Sequence, residues 1–301
     1  MCGIAGILYK TGDGESLVGK SLVNMLDGCQ HRGEDSTGFA MYGKTDDFLH
    51  LRFLIDDENL DQEQAIAHIK EILALHGAEI KNESTRGRYY VVSVLFSGDE
   101  QKFTYELENA AKLISAGRTL DIIKDEGTSR EVDAVYDISG FKGTHGIGHV
   151  RLATESAVKP EAAHPFLATG FSDIAIVHNG QITNYWKMRR RLERRGFQFR
   201  TDNDSELCAV YLADKLSQQI SLKDALKEAI EDLDGTFSFL VSTQDEIGFA
   251  KDKLAAKPMV LFENDDLIAI ASEEVSLNRL FPGIALNTTE PAPGTYRTWQ
   301  R

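Results

Sequence analysis

A mixed fold of helices and strands is predicted by three features of this sequence. The chain opens on a largely apolar run broken by glycine, "CGIAGILYK", which reads as a strand. Amphipathic stretches with terminal glycines, such as "QEQAIAHIKEILALHG", read as helices. The C-terminal part is built from short apolar runs paired across polar turns.

The elements follow in order. Leu17, Val18, Leu22, Met25, Leu26 and Cys29 form a helical stripe after the first strand. "HRGEDSTG" is a polar loop, and "FAMYG" returns as a strand. Residues 46–138 are expected to form a small α+β insertion with a ferredoxin-like alternation. In it "FLHLRFLI", "RYYVVSVLF" and "TLDIIKD" read as strands. "QEQAIAHIKEILALHG" and "TYELENAAKLISAG" read as helices. The remaining segments, 2–45 and 139–301, form the main domain. There "TNYWKMRRRLERRG" and "DSELCAVYLADKLSQ" read as helices on either side of a short strand, "FQFRT". "TFSFLVSTQ" with "EIGFAKD", and "PMVLFEN" with "LIAIASEE", read as hairpins.

The 301 residues can bury a sizeable core, and the 42% hydrophobic and 27% charged fractions are those of a globular protein. A net charge of −14 argues against nucleic acid as a partner and against a basic membrane-binding surface. No window reaches the roughly 18 apolar residues of a membrane span, and no secretory signal opens the chain. Three cysteines, with no CxxC pair, make neither a disulfide framework nor a metal motif, so no metal or cofactor is expected in this chain and a cytoplasmic setting is expected. Cys29 and Cys208 lie on apolar helical stripes and are expected in the core. The basic run "KMRRRLERR" is expected to be a solvated helix face, with Tyr185 and Trp186 packing at its start.

Cys2 is different. Once Met1 is removed, its thiol and a free α-amine share one residue. A thiol with a pKa of about 8.5 is a weak nucleophile at neutral pH until a base takes its proton. An α-amine with a pKa of roughly 7.7–8.0 can be that base. Behind Cys2 come "HRGEDSTG" at 31–38, "GHVRLAT" at 148–154, "AHPF" at 163–166, "HNG" at 178–180, "DSE" at 204–206 and "AKDKLAAKPMVLF" at 250–262. Standing alone, Asn-Gly marks a tight turn and Asp204 a helix N-cap. Together and in this order, the segments resemble the class II glutamine amidotransferases, whose glutaminase domain is an N-terminal-nucleophile hydrolase. The resemblance covers about the first 43 residues and nearly everything from about 143 onward.

The resemblance implies a four-layer αββα sandwich of two antiparallel sheets. It implies Cys2 as nucleophile, with the Asn179 side chain and the Gly180 N–H as oxyanion donors. It implies that Arg151 grips the α-carboxylate of L-glutamine, that Asp204 grips its α-ammonium, and that Thr154 and His164 lie in the same pocket. A guanidinium fork suits a carboxylate. His31 and Arg32 are expected to hold a loop. Leu152 stands where some members carry an aromatic residue. Family members usually carry a synthase domain that consumes the ammonia, and none is evident before the chain ends at "PGTYRTWQR". A separate synthase subunit, flavin- and iron–sulfur-bearing and similar to glutamate synthase or N-methylglutamate synthase systems, is therefore expected as partner, with the 46–138 insertion at the interface or acting as a regulatory lobe. Two other readings stay open: a hydrolase of another amide, which the Arg151–Asp204 pairing disfavours, and a non-catalytic sensing or scaffold subunit.

Overall fold

The computed structural model describes residues 2–12, 14–56, 61–152 and 159–301. In chain order the elements are β1 (Gly3–Tyr9), α1 (Val18–Gly28), β2 (Ser36–Tyr42), β3 (Leu49–Leu54), α2 (Gln62–Leu75), β4 (Glu79–Arg86), β5 (Tyr89–Leu95), α3 (Glu100–Glu108), β6 (Lys112–Gly117), β7 (Leu120–Glu126), α4 (Ser129–Tyr136) and β8 (His145–Arg151). They continue with β9 (Phe166–Leu167), β10 (Ala175–Ile182), α5 (Tyr185–Glu193), α6 (Asp204–Ser217), α7 (Leu222–Asp232), β11 (Gly235–Ser242), β12 (Glu246–Lys251), β13 (Val260–Glu263), β14 (Leu267–Ala271), α8 (Glu274–Asn278) and β15 (Tyr296–Gln300).

Among the described residues the main domain has two antiparallel sheets. One runs β13-β14-β1-β8-β2-β7 and the other β15-β12-β11-β10-β9. They stack through β1, β8, β10 and β11. Helices α1, α4 and α8 cover the outer face of the first sheet, and α6 and α7 cover the second, with α5 against α6. This is the expected αββα sandwich. The inner strands are buried on both faces, so they read as unbroken apolar or glycine-rich runs rather than alternating ones. Cys29 and Cys208 are in the core, where burial pushes both thiols up, Cys29 to about 11.

The expected insertion divides. Strands β3 to β6 with α2 and α3 form a separate four-stranded sheet in the order β4-β5-β3-β6. The connectivity β-α-β-β-α-β in that order is the ferredoxin-like one. Strand β7, however, pairs with β2 in the main sheet, and α4 packs on α1. The inserted sheet therefore closes at Gly117 rather than at 138. The helix expected across "TYELENAAKLISAG" stops at Glu108, because Lys112–Gly117 is drawn into pairing with β3. Strand β4 carries no apolar alternation and is an exposed, charged edge, which is why periodicity misses it. "FQFRT" is not a strand. The buried Glu206 carboxylate accepts from Arg200 N at 2.7 Å and Thr201 N at 2.7 Å and fixes it as a loop. On α5, Lys187, Arg190 and Arg191 are exposed as expected, as is Arg194 just after it, and Tyr185 is buried, but Trp186 is 58% exposed. No described helix is long and apolar enough to cross a membrane.

The Asp173 carboxylate is one of the links between the inserted sheet and the main domain. Asp173 accepts from Arg118 N, Thr119 N, Thr119 Oγ1 and Leu120 N, each at 2.9 Å, at the turn where β6 becomes β7. Its φ of 59° is one that Asp tolerates better than most residues. Asp173→Ala would strand three backbone N–H groups, so it is expected to cost about 2–4 kcal/mol. Urea unfolding at neutral pH measures this, and an unchanged midpoint would remove Asp173 from that role.

Candidate functional site

The site is built where the start of β1 faces β10 across the two sheets. The Cys2 carbonyl accepts from Asn179 Nδ2 at 3.2 Å and from Arg32 Nε at 2.9 Å. Arg32 is itself held by an ion pair with Glu273, which also meets His31 at 2.9 Å. Cys2 Sγ is partly exposed and lies 3.9 Å from the carbonyl of Leu152, the residue after Arg151. Arg151 ends β8 opposite Ser36 and is 8% exposed. Cys2 and Asn179 are thus in direct contact, and Arg151 is next in sequence to a residue at the thiol.

Asn179 and Gly180 are not a turn. They lie inside β10, paired with Ser238 and Phe237. At Gly180 φ is +143°, and a Cβ would sit 2.0 Å from Thr236 O, so β10 and β11 can pair there only around glycine. Asp204 is the first residue of α6, and the N-cap is Asn203, whose side chain accepts from Ser205 N at 2.8 Å. The Asp204 carboxylate is instead turned to β10: Oδ2 accepts from Ile182 N at 3.0 Å and Oδ1 lies 3.5 Å from His178 Nδ1. Burial would raise this carboxyl, but the His178 ring and the N–H groups of Ile182 and Ser205 outweigh it and hold the carboxyl below its ordinary value. Thr154 lies outside the described residues.

His164 is placed behind the site rather than open to it. It is buried, its Nε2 meets Ser205 Oγ at 2.7 Å, and its ring stacks on His149 at 4.1 Å. Ser205 also meets His178 Nδ1 at 3.0 Å. His149 Nε2 lies 3.3 Å from Asn179 Oδ1. That contact makes Oδ1 the acceptor and leaves the amide N–H groups for Cys2 O and, at 3.5 Å, for Ser272 Oγ. Ser272 in turn accepts from Ile4 N at 3.0 Å.

Sequence reasoning gave no role to His149, His178, Ser205, Ser272 or Glu206. The first three and Glu206 lie inside the quoted motifs, which was the available signal. Ser272 lies in none. Among the described residues no group of three or more His, Cys, Asp or Glu is placed to hold a metal ion.

Burial disfavours the charged form of two histidines of this cluster. Burial pushes His149 down to about 3 and His164 well below its ordinary value. His164 Nδ1 and His178 Nε2 have no hydrogen-bond partner among the described residues, so a proton on either would be buried without an acceptor. A further buried histidine, His145 on β8, is pushed down to about 4. Below pH 6.5 the unfolded chain binds protons that these folded rings refuse. Their contribution is therefore full above pH 6.5 and falls with pH towards 4, by up to about 1.4 kcal/mol per pH unit for each ring. Urea midpoints should drop from pH 7 to pH 4.5, and less steeply in His149→Gln. Parallel pH dependences would mean that His149 is already charged in the fold.

A family model described as a glutamine amidotransferase domain matches residues 149–279. A candidate glutamine amidotransferase of Methanothermobacter thermautotrophicus is 40% identical over 100% of both chains. The glutamine amidotransferase-like protein GlxB of Rhizobium meliloti is 35% identical over 99% of this chain and 98% of its own. Among solved structures, the glutamine PRPP amidotransferase of B. subtilis overlays with a TM-score of 0.60 at 20% identity, covering 99% of this chain. This chain spans 49% of that one, and the likeness is one of fold. The chain belongs to the class II glutamine amidotransferases, enzymes of the N-terminal-nucleophile fold.

Proposed function

We propose that this chain hydrolyses L-glutamine to L-glutamate and ammonia through a γ-glutamyl thioester on Cys2, and that the ammonia passes to a separate synthase protein. The observation that carries the reading is the Asn179 amide, 3.2 Å from the Cys2 carbonyl and oriented by His149. Removal of Met1 frees the Cys2 amine, which takes the thiol proton. The thiolate attacks the γ-carbonyl carbon, and Asn179 with the Gly180 N–H receives the charge on oxygen. The amine's proton goes to the leaving nitrogen, and ammonia departs. Water then cleaves the thioester and restores the thiol. Arg151 and Asp204 hold the two charged groups of the amino acid, and the Thr154 hydroxyl is proposed as a further substrate contact. No metal or cofactor enters these steps.

The partner reading is supported by two relatives whose whole length this chain matches, one of them GlxB. The proposed partner is glutamate synthase-like, carrying flavin and iron–sulfur centres, and the β3–β6 lobe is offered as the contact surface. Affinity purification from the native cell should retain such a protein. A chain that purifies alone with full glutaminase activity would count against it.

The half-reaction is tested by glutamate release. Cys2→Ala should be inactive. Asn179→Ala should lose about 10²–10³ in kcat. Arg151→Lys and Asp204→Asn should instead raise KM by roughly tenfold or more, since the first loses the two-pronged guanidinium grip and the second the carboxylate charge, contacts made equally in ground and transition states. Loss of kcat at unchanged KM in the last two would reassign them.

A further inference from the structure

Lys124 is a charged-type residue in a place built for apolar ones. It stands mid-strand in β7 and is 0% exposed. Its Nζ donates to the carbonyls of Ala163 at 2.7 Å and Pro165 at 3.0 Å, and lies 4.9 Å from the centre of the Phe166 ring. These two carbonyls flank His164. Burial holds the amine well below its ordinary pKa. A methionine would fill the same volume, so what the amine adds is a pair of N–H donors aimed at two named oxygens.

The opposite residue on β2 explains how the segment comes so close. Gly38 is in register with Lys124, and a Cβ there would lie 2.0 Å from His164 O. The His164–Pro165 backbone therefore lies directly on β2 while Lys124 holds it from the side. From His164 a series of contacts leads to the nucleophile: the ring stacks on His149 at 4.1 Å, His149 meets Asn179 Oδ1 at 3.3 Å, and Asn179 meets Cys2 O at 3.2 Å. The Lys124 carbonyl, for its part, accepts from the Tyr89 hydroxyl of the inserted lobe.

We propose that Lys124 is a positioning residue for glutamine hydrolysis: it fixes the backbone on both sides of His164 and, through the His164–His149 stack, sets the Asn179 amide. The inference rests on the roles given above to Cys2 and Asn179. Misplacing an oxyanion donor acts on the transition state and leaves ground-state binding alone. The test is Lys124→Met in the full chain, with steady-state kinetics on L-glutamine. Rates are normalised to the fraction of Cys2 alkylated by 6-diazo-5-oxo-L-norleucine, so that misfolded molecules do not count. The expected result is a kcat per alkylated Cys2 lower by at least about tenfold, with KM within twofold. An unchanged kcat per alkylated Cys2 would overturn the proposal, as would a rise in KM with kcat retained. If Lys124→Met gives no alkylatable protein, Lys124→Gln decides the matter on the same readout: its shorter arm should also lower kcat at constant KM, and wild-type kinetics would overturn the proposal. Failure of the wild-type chain to be alkylated would count against the Cys2 assignment instead.

Discussion

The arrangement depends on one carbonyl. The backbone oxygen of Cys2 is shared by a guanidinium from the loop after α1 and an amide from β10. The first residue of a chain has few contacts of its own and frays unless it is tied down. Here one donor from the loop after α1 and one from β10 of the opposite sheet converge on it. The stacking of the sheets is thus what brings the first strand and the oxyanion strand within hydrogen-bond distance. Apolar burial between the sheets fixes their spacing, and that spacing sets the geometry of the candidate nucleophile.

Behind this contact lies a buried polar cluster. His149, His164 and His178 with Ser205 link the start of α6 to β8 and to the loop before β9. Burial disfavours a charge on His149 and His164, and a neutral His149 can donate to Asn179 while stacking on His164. The same helix start turns Asp204 towards β10 while Glu206 ties the preceding loop. The three residues "DSE" therefore have three separate duties on one helical turn.

What the sequence offered of the site is local. Each motif is a few residues proposed to meet one substrate group, so Cys2, Arg151, Asn179, Gly180 and Asp204 could be nominated from short segments, and the fold brings Cys2 and Asn179 into contact. The hairpins and the α1 stripe were legible for a similar reason, since period and turn chemistry specify them. What failed to show depends on long-range pairing. Lys112–Gly117 has helical neighbours and becomes a strand only because β3 is beside it. Strand β7 looks like part of the insertion and belongs to the main sheet because β2 needs a partner. Ser272 and Lys124 act across distances in sequence that no motif spans. Arg32, expected only to hold a loop, reaches the Cys2 carbonyl as well.

The central claim is that Cys2 becomes a processed N-terminal nucleophile, and the intact mass of the native protein tests it most directly. It should be measured before and after treatment with 6-diazo-5-oxo-L-norleucine, with and without L-glutamine. The expected result is a chain lacking Met1 that gains one adduct, mapped to Cys2 and blocked by glutamine. A chain that keeps Met1 and gains no adduct would contradict the claim, because neither the amine base nor the reactive thiol would then exist.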